Sequence, residues 1–419
     1  MRILMLAQFY PPVIGGEERH VRNLSIDLVR RGHEVTVVTT GQPGGQAAQF
    51  EDGVKIYRLR GTVQRTSVLF WSGEHRQVPP FPDPELLLGL HQIVRREKPD
   101  VVHAHNWMVH SYLPLKRLYG APLILTLHDF SLVCAKKSAL RQGALCSGPA
   151  VSKCLVCATQ HYGVFKGSIT AIGNWASCAL EKKRVDAFIA VSKAVAEGNH
   201  LAKLGVPFAV IPNFVPDNVA ALGPDGDGAA ASLPDTGYIL FVGDLSQNKG
   251  ISVLLEAYAA LQNAPPLVLI GRRCATTPAA LPPGVSMYHD WPHNAILHAW
   301  SRCLFGILPS ICPDACPTVI MEAMASGKAV VATDIGGSPD LVDHGYTGLL
   351  AVPGSAQSLA SAMRELIGDP GLRQNMGSAA LTKVEAHKAK AVVSRIEHLY
   401  KQLLSPCAKS VFEEAQNAA

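Results

Sequence analysis

Short runs of consecutive apolar residues alternate along the chain with longer stretches whose apolar positions recur every three or four residues. In the first half the runs fall at residues 3–9, 34–40, 54–59, 101–105, 123–128, 187–191 and 208–211. Their lengths predict strands. Between the first two runs Val21, Leu24, Leu28 and Val29 keep helical spacing, and Gly32 closes the helix. Strand, crossover helix, strand is the signature of a doubly wound parallel sheet.

The pattern lapses over residues 217–236, a stretch rich in Gly, Ala, Pro and Asp that reads as a linker. It then restarts. Strands are predicted at 238–242, 267–270, 285–288, 305–308, 330–333 and 349–352, and helices at 251–261, 294–301, 319–325 and 356–367. Beyond Asp369 the pattern is helical to about Leu404, with a polar tail after it. The expected organisation is therefore an α/β domain over 1–216, the linker, a second α/β domain over 237–390, and a closing segment 391–419 whose helix packs back on the first domain. Two such units point to a cleft between them as the working site.

Composition agrees with this reading. In 419 residues, 48% are apolar and only 6% aromatic, which suits strands covered on both faces by helices. The net charge of +5 is too small, and too little interleaved with aromatics, to suggest nucleic acid. Its densest runs, Lys182-Lys183-Arg184 and Arg95-Arg96 with Lys98, belong at helix ends, leaving at most a peripheral membrane contact. The first ten residues read as a strand, not a signal peptide, and no apolar run is long enough to span a bilayer. A cytoplasmic protein is expected, with its cysteines reduced or metal-bound.

Two segments carry candidate chemistry. Gly15-Gly16 stands between the first strand and the first helix, where glycine lets the backbone approach an anion at a helix amino terminus. It departs from the GxGxxG dinucleotide fingerprint, and a merely tight turn explains it equally well. The second segment, PDACPTVIMEAMASGKAVVAT at 313–333, places Asp314 and Glu322 across a loop and the first turn of a helix. The helix start at Pro317, Thr318 and Val319 offers amides to phosphate, and a carboxylate beside it can bind ribose or sugar hydroxyls. An ordinary loop cap and a first-turn acid would leave the same trace.

The 313–333 segment resembles the E-x7-E element of the retaining glycosyltransferases of family 4, which have the GT-B fold of two Rossmann-like domains. GGEERH at 15–20, RRGHEVTVVT, VVHAHN, TLHDF, AVS, IPN, FVGDLSQNKG and DIGGSPDLV follow in family order over nearly the whole chain. The resemblance implies transfer of a sugar from a nucleoside diphosphate, of UDP or GDP type, to an unidentified acceptor hydroxyl, with retention and without a catalytic metal. Carried over by motif, Glu322 grips the donor ribose, Asp314 lies near the donor sugar, Lys249 and the Gly16 backbone meet the diphosphate, and His128 borders the sugar. Asp244 stands where the family has arginine, and Arg272 or Arg273 is a candidate to replace that guanidinium. A catalytically silent nucleotide-binding GT-B protein, or a GT-B epimerase or phosphorylase, are the alternatives.

Cys134, Cys146, Cys154 and Cys157 crowd together after His128 and end in a C-x2-C pair, which predicts structural zinc ordering a loop. Clustered free thiols remain the alternative. Cys178, Cys274, Cys303, Cys312, Cys316 and Cys407 lack such spacing and are expected as core or loop thiols. His103 and His105 are expected to part, one buried and one turned to the cleft, and so not to share a metal.

Overall fold

The computed structural model describes residues 1–13, 15–41, 47–65, 77–219, 228–235 and 237–405. Part of the expected linker (220–227 and 236), much of the loop before Pro82, and the tail with Cys407 lie outside the described residues. The chain divides into two compact units, Met1–Pro212 with Val393–Ala419, and Asn213–Val392.

The first unit holds strands β1 (Arg2–Ala7), β2 (Glu34–Thr40), β3 (Ala48–Glu51), β4 (Val54–Leu59), β5 (Val101–His105), β6 (Leu123–Leu127), a small hairpin of β7 (Leu140–Arg141) and β8 (Ala144–Leu145), β9 (Ala187–Ala190) and β10 (Phe208–Val210). Eight of them form one sheet in the order β10-β9-β6-β5-β1-β2-β4-β3. Every pairing is parallel except that of β3 with β4. Its helices are α1 (Gly16–Arg30), α2 (Pro84–Glu97), α3 (Val109–Tyr112), α4 (Lys116–Tyr119), α5 (Val151–Tyr162), α6 (Val164–Arg184) and α7 (Lys193–Gly198). Helix α1 buries Val21, Leu24 and Leu28, the stripe that the spacing predicts. Helix α6 ends at Arg184, so Lys182-Lys183-Arg184 lie at a helix end as expected, but the apolar pattern marked no helix over the rest of α5 and α6.

The second unit contains β11 (Ile239–Val242), β12 (Leu267–Ile270), β13 (Val285–Tyr288), β14 (Phe305–Leu308), β15 (Val330–Thr333) and β16 (Gly348–Ala351). They form an all-parallel sheet in the order β13-β12-β11-β14-β15-β16. Between and after them come α8 (Ile251–Ala259), α9 (His293–Arg302), α10 (Thr318–Ala325), α11 (Ser338–Leu341), α12 (Ala356–Gly368), α13 (Pro370–Val384) and α14 (Ala389–Leu404). Strands β11, β12, β14 and β15 are buried along their whole length, because helices cover both faces and leave no wet side for a polar residue.

Helix α14 begins in the second unit, and from Val393 onward it belongs to the first. There the Tyr400 hydroxyl meets His103 Nδ1 at 2.6 Å, Arg395 donates to the Val210 carbonyl, and Glu397 pairs with Arg31.

Candidate functional site

In a doubly wound sheet the crevice opens where successive strands depart in opposite directions, beyond their carboxyl ends. In the second unit β11, β12 and β13 run outward on one side and β14, β15 and β16 on the other, so this point lies between β11 and β14. Lys249 follows β11 and Asp314 follows β14, one on each side of it. The Lys249 ammonium donates to Asp314 Oδ1 at 2.5 Å, and the Ser310 hydroxyl donates to Oδ2 at 2.6 Å. Ser310 is held in turn by Thr333, whose hydroxyl donates to its carbonyl at 2.6 Å. Burial pulls the Lys249 pKa down, but the charge and hydrogen bond of Asp314 outweigh it, so the pKa ends above its ordinary value. The group is a fixed cation at a half-buried position.

Glu322 is the fifth residue of α10, one turn further in than the sequence placed it, and is only 3% exposed. His293 Nε2 lies 2.8 Å from its Oε1, and His293 is the first residue of α9, beyond β13. Helix α10 starts at Pro317 with no side-chain cap, so its first amides, including those of Thr318 and Val319, are presented without a competing side chain. The approach to this helix is anchored by Asn213, whose amide donates to the Cys316 carbonyl at 3.2 Å.

In the first unit the reversal lies between β1 and β5. Gly15 caps α1 in an extended conformation with no side-chain bond, and a Cβ on Gly16 would meet open space. Asn106, just after β5, donates its side-chain amide to Glu17 Oε2 across this point. Burial, then the neighbouring Glu18 and Asp129, push the Glu17 carboxyl up to about 8. Beside it gather four imidazoles. His105 Nδ1 and His128 Nε2 are 3.0 Å apart, and the His20 ring stands edge-on to His128 at 5.2 Å.

Burial lowers all four imidazoles, His20 to about 4, His103 to about 3, and His105 and His128 well below their usual value. They are therefore neutral at neutral pH. The expectation that His103 and His105 part is corrected: both are fully buried, with ring centroids 4.4 Å apart. Residues two apart on a strand share a face.

Two family models cover this arrangement, Glycosyltransferase Family 4 over residues 14–219 and Glycosyl transferases group 1 over residues 229–383. The chain belongs to glycosyltransferase family 4. Among curated proteins it is 27% identical to a glycogen synthase of Mycobacterium tuberculosis, over 91% of this chain and 89% of that one. Its fold is that of solved GT-B structures. Sucrose-phosphate synthase from Thermosynechococcus elongatus matches at a TM-score of 0.73, with 19% identity, over 96% of this chain and 98% of that one. Anabaena HepE in complex with UDP-glucose matches at 0.65, with 17% identity, over 96% and 99%.

At the position where the family carries arginine, the Asp244 carboxylate of this glycosyltransferase is bound by Arg272 Nη2 at 2.9 Å. The pair is exposed, so it is worth little to stability, but it masks the extra negative charge with a guanidinium. Arg273 turns aside to the Met287 sulfur. Of the residues that sequence reasoning passed over, His293 and Ser310 contact the two candidate carboxylates directly. His293 had a signal in its place at the head of a helix beyond a strand's carboxyl end, and Ser310 in its four-residue spacing from Asp314.

Cys134, Cys146, Cys154 and Cys157 line one cavity of about 150 Å³ together with Lys136, Arg141, Lys153 and His200. The segment is a turn, a small hairpin and the first two turns of α5, where a loop was expected. Among the described residues no three potential ligands stand close enough together to hold a metal ion. Burial raises the Cys134 thiol, opposed by backbone N–H bonds from Ala139 and Lys136, with Cys157 and Cys146 near enough to add to the rise. Cys303 and Cys316 are buried, whereas Cys178, Cys274 and Cys312 are part-exposed.

Proposed function

We propose that this glycosyltransferase moves a hexosyl group from a nucleoside diphosphate sugar, of UDP type, to an acceptor hydroxyl with retention at the anomeric carbon. The observation that carries the reading is the cation at the switch point of the second unit, where Lys249 is held by Asp314, whose other oxygen is bonded by Ser310. In this reading Lys249 and the amides of Thr318 and Val319, after Pro317, bind the donor diphosphate, and Glu322, oriented by His293, takes the ribose hydroxyls. Asp314 accepts from the sugar hydroxyls. The backbone of Gly15 and Gly16 adds further donors to the diphosphate, and His128, kept neutral, borders the sugar.

The bond from the anomeric carbon to phosphate oxygen breaks as the bond to the acceptor oxygen forms on the same face. The acceptor proton passes to the departing diphosphate. Charge grows on that diphosphate, and a cation and amides already in position stabilise it without reorganising. No catalytic metal has a part in this scheme. UDP-glucose in the HepE complex supports the choice of base. The free thiols favour the cytoplasm as the compartment.

For the cysteine cavity we propose a structural zinc ion held by Cys134, Cys146, Cys154 and Cys157. Four sulfurs on one cavity favour it, as do backbone N–H groups aimed at Cys134 and the positive charge of Lys136, Arg141 and Lys153 around what would be a dianionic tetrathiolate. Binding would draw the sulfurs inward to roughly 2.3 Å from the ion.

Thermal unfolding with UDP, GDP, ADP and dTDP tests the donor site. UDP at about 100 times its dissociation constant should add ~2.7 kcal/mol of stability. That gain should be lost in Glu322→Ala and reduced in Lys249→Met. No shift with any nucleotide would overturn the donor site, and a shift with another base alone would overturn the UDP assignment.

A further inference from the structure

Helices α5 and α6 form a hairpin across Gly163, packed so closely that a Cβ on Gly167 would lie 2.4 Å from the Ala158 carbonyl oxygen. The polarity of α6 is reversed from that of an ordinary surface helix. Its buried side is small and polar: Gly167, Thr170, Asn174, Ser177 and Glu181. Ser177 donates to the Pro80 carbonyl, and Glu181 is bonded to buried His110 at 2.8 Å. Its outward side is apolar, with Val164 78%, Phe165 72%, Ile172 62% and Trp175 71% exposed, and Ile169 and Leu180 beside them. Val151, Leu155 and Val156 of α5 are exposed as well. Among the described residues, exposed large hydrophobics concentrate here and are scattered singly elsewhere.

Charge narrows what can cover this face. Over residues 151–184 the acidic residue is Glu181, which is buried, whereas Lys153, Lys166, Lys182, Lys183 and Arg184 are all basic. Lys182 and Lys183 are exposed at the end of α6. A second copy of the chain would set one basic hairpin against another with no exposed carboxylate in either to answer the charge. An anionic lipid surface answers it directly, and an apolar helix face with tryptophan and a basic end is suited to the boundary between headgroups and acyl chains. No helix among the described residues is long and apolar enough to cross a membrane, so the contact is one of lying on the surface.

We propose that the α5–α6 hairpin docks the enzyme on an anionic bilayer, with Phe165, Ile172 and Trp175 entering the interface and Lys182 and Lys183 meeting the headgroups. The proposal stands on the hairpin alone and is independent of the donor reading.

The full chain is sedimented with vesicles of phosphatidylcholine alone and of phosphatidylcholine mixed with phosphatidylglycerol. Binding is expected to the mixed vesicles and to weaken in high salt. The triple substitution Phe165→Ser, Ile172→Ser, Trp175→Ser should weaken it by about tenfold or more, as should Lys182→Glu with Lys183→Glu. Cooperative thermal unfolding and a far-UV circular dichroism spectrum like the wild type's show that these variants are folded. Brominated acyl chains should quench tryptophan fluorescence in the wild type and much less in Trp175→Phe. Failure to bind either vesicle would overturn the proposal. So would a wild-type dimer in solution that the triple substitution converts to a monomer, because a second copy would then be the occupant.

Discussion

At the scale of single residues, burial sets which groups hold charge. Lys249 keeps its proton because Asp314 repays more than desolvation takes. Glu17 has no partner strong enough: the charge of Lys137 and the bond from Asn106 do not offset burial, and its carboxyl stands at about 8 against an ordinary 4.5. The unfolded chain therefore loses this proton first, and stability drains away as pH rises from about 4.5 to about 8. His20 works the other way. Its pKa of about 4 lies below its unfolded value of 6.5, so stability is lost as pH falls through that window. Between about pH 6.5 and 8 only the Glu17 effect is left. Glu17→Gln should flatten the fall of the melting midpoint across that interval and gain on the order of 2–4 kcal/mol at pH 8. Parallel wild-type and variant curves would show that Glu17 is ionised in the folded protein.

At the scale of elements, the site depends on where helices begin. Helix α10 presents the uncapped amides of Thr318 and Val319 after Pro317 and holds Glu322 a turn deeper, while α9 delivers His293 to that carboxylate at its own first residue. The cysteine hairpin depends on α5 in the same way. Cys154 and Cys157 are three apart on a helix and so share a face, which brings both to the cavity that Cys134 and Cys146 line. Zinc-supplemented protein should carry one zinc per chain. Cobalt in its place should give the visible absorption of a tetrahedral thiolate site, and Cys154→Ser with Cys157→Ser should abolish both. Protein that takes up neither metal would return the cluster to four free thiols.

At the scale of the whole molecule, the chain finishes in the unit where it began. The buried Tyr400 hydroxyl fastens α14 to His103 Nδ1, while His103 Nε2 is bonded to Thr126. Tyr400→Phe keeps the packing but removes the partner of a buried nitrogen, which should cost roughly 1–3 kcal/mol in urea unfolding. UDP affinity should stay unchanged, because its candidate ligands in the second unit are untouched. An undiminished midpoint would mean that apolar packing alone holds the helix.

The strands and helices of the second unit were legible because parallel strands buried on both faces leave continuous apolar runs, and the helices over them keep one apolar stripe. Gly15, Gly16, Lys249, Asp314 and Glu322 were marked by motif. Of the α5–α6 hairpin only the basic carboxyl end was legible, because the rest turns small polar residues inward and apolar ones outward, the reverse of what the pattern assumes. Nor could sequence bring Lys249 to Asp314, His293 to Glu322, or Asn106 to Glu17, which are 65, 29 and 89 residues apart. By itself the sequence determined the order of the elements whose apolar face turns inward, since local periodicity and turn residues act within a few positions. Tertiary structure alone decided which side chains meet, which imidazoles stay neutral and which apolar face remains outside, because those depend on strand order and on what each group is buried against.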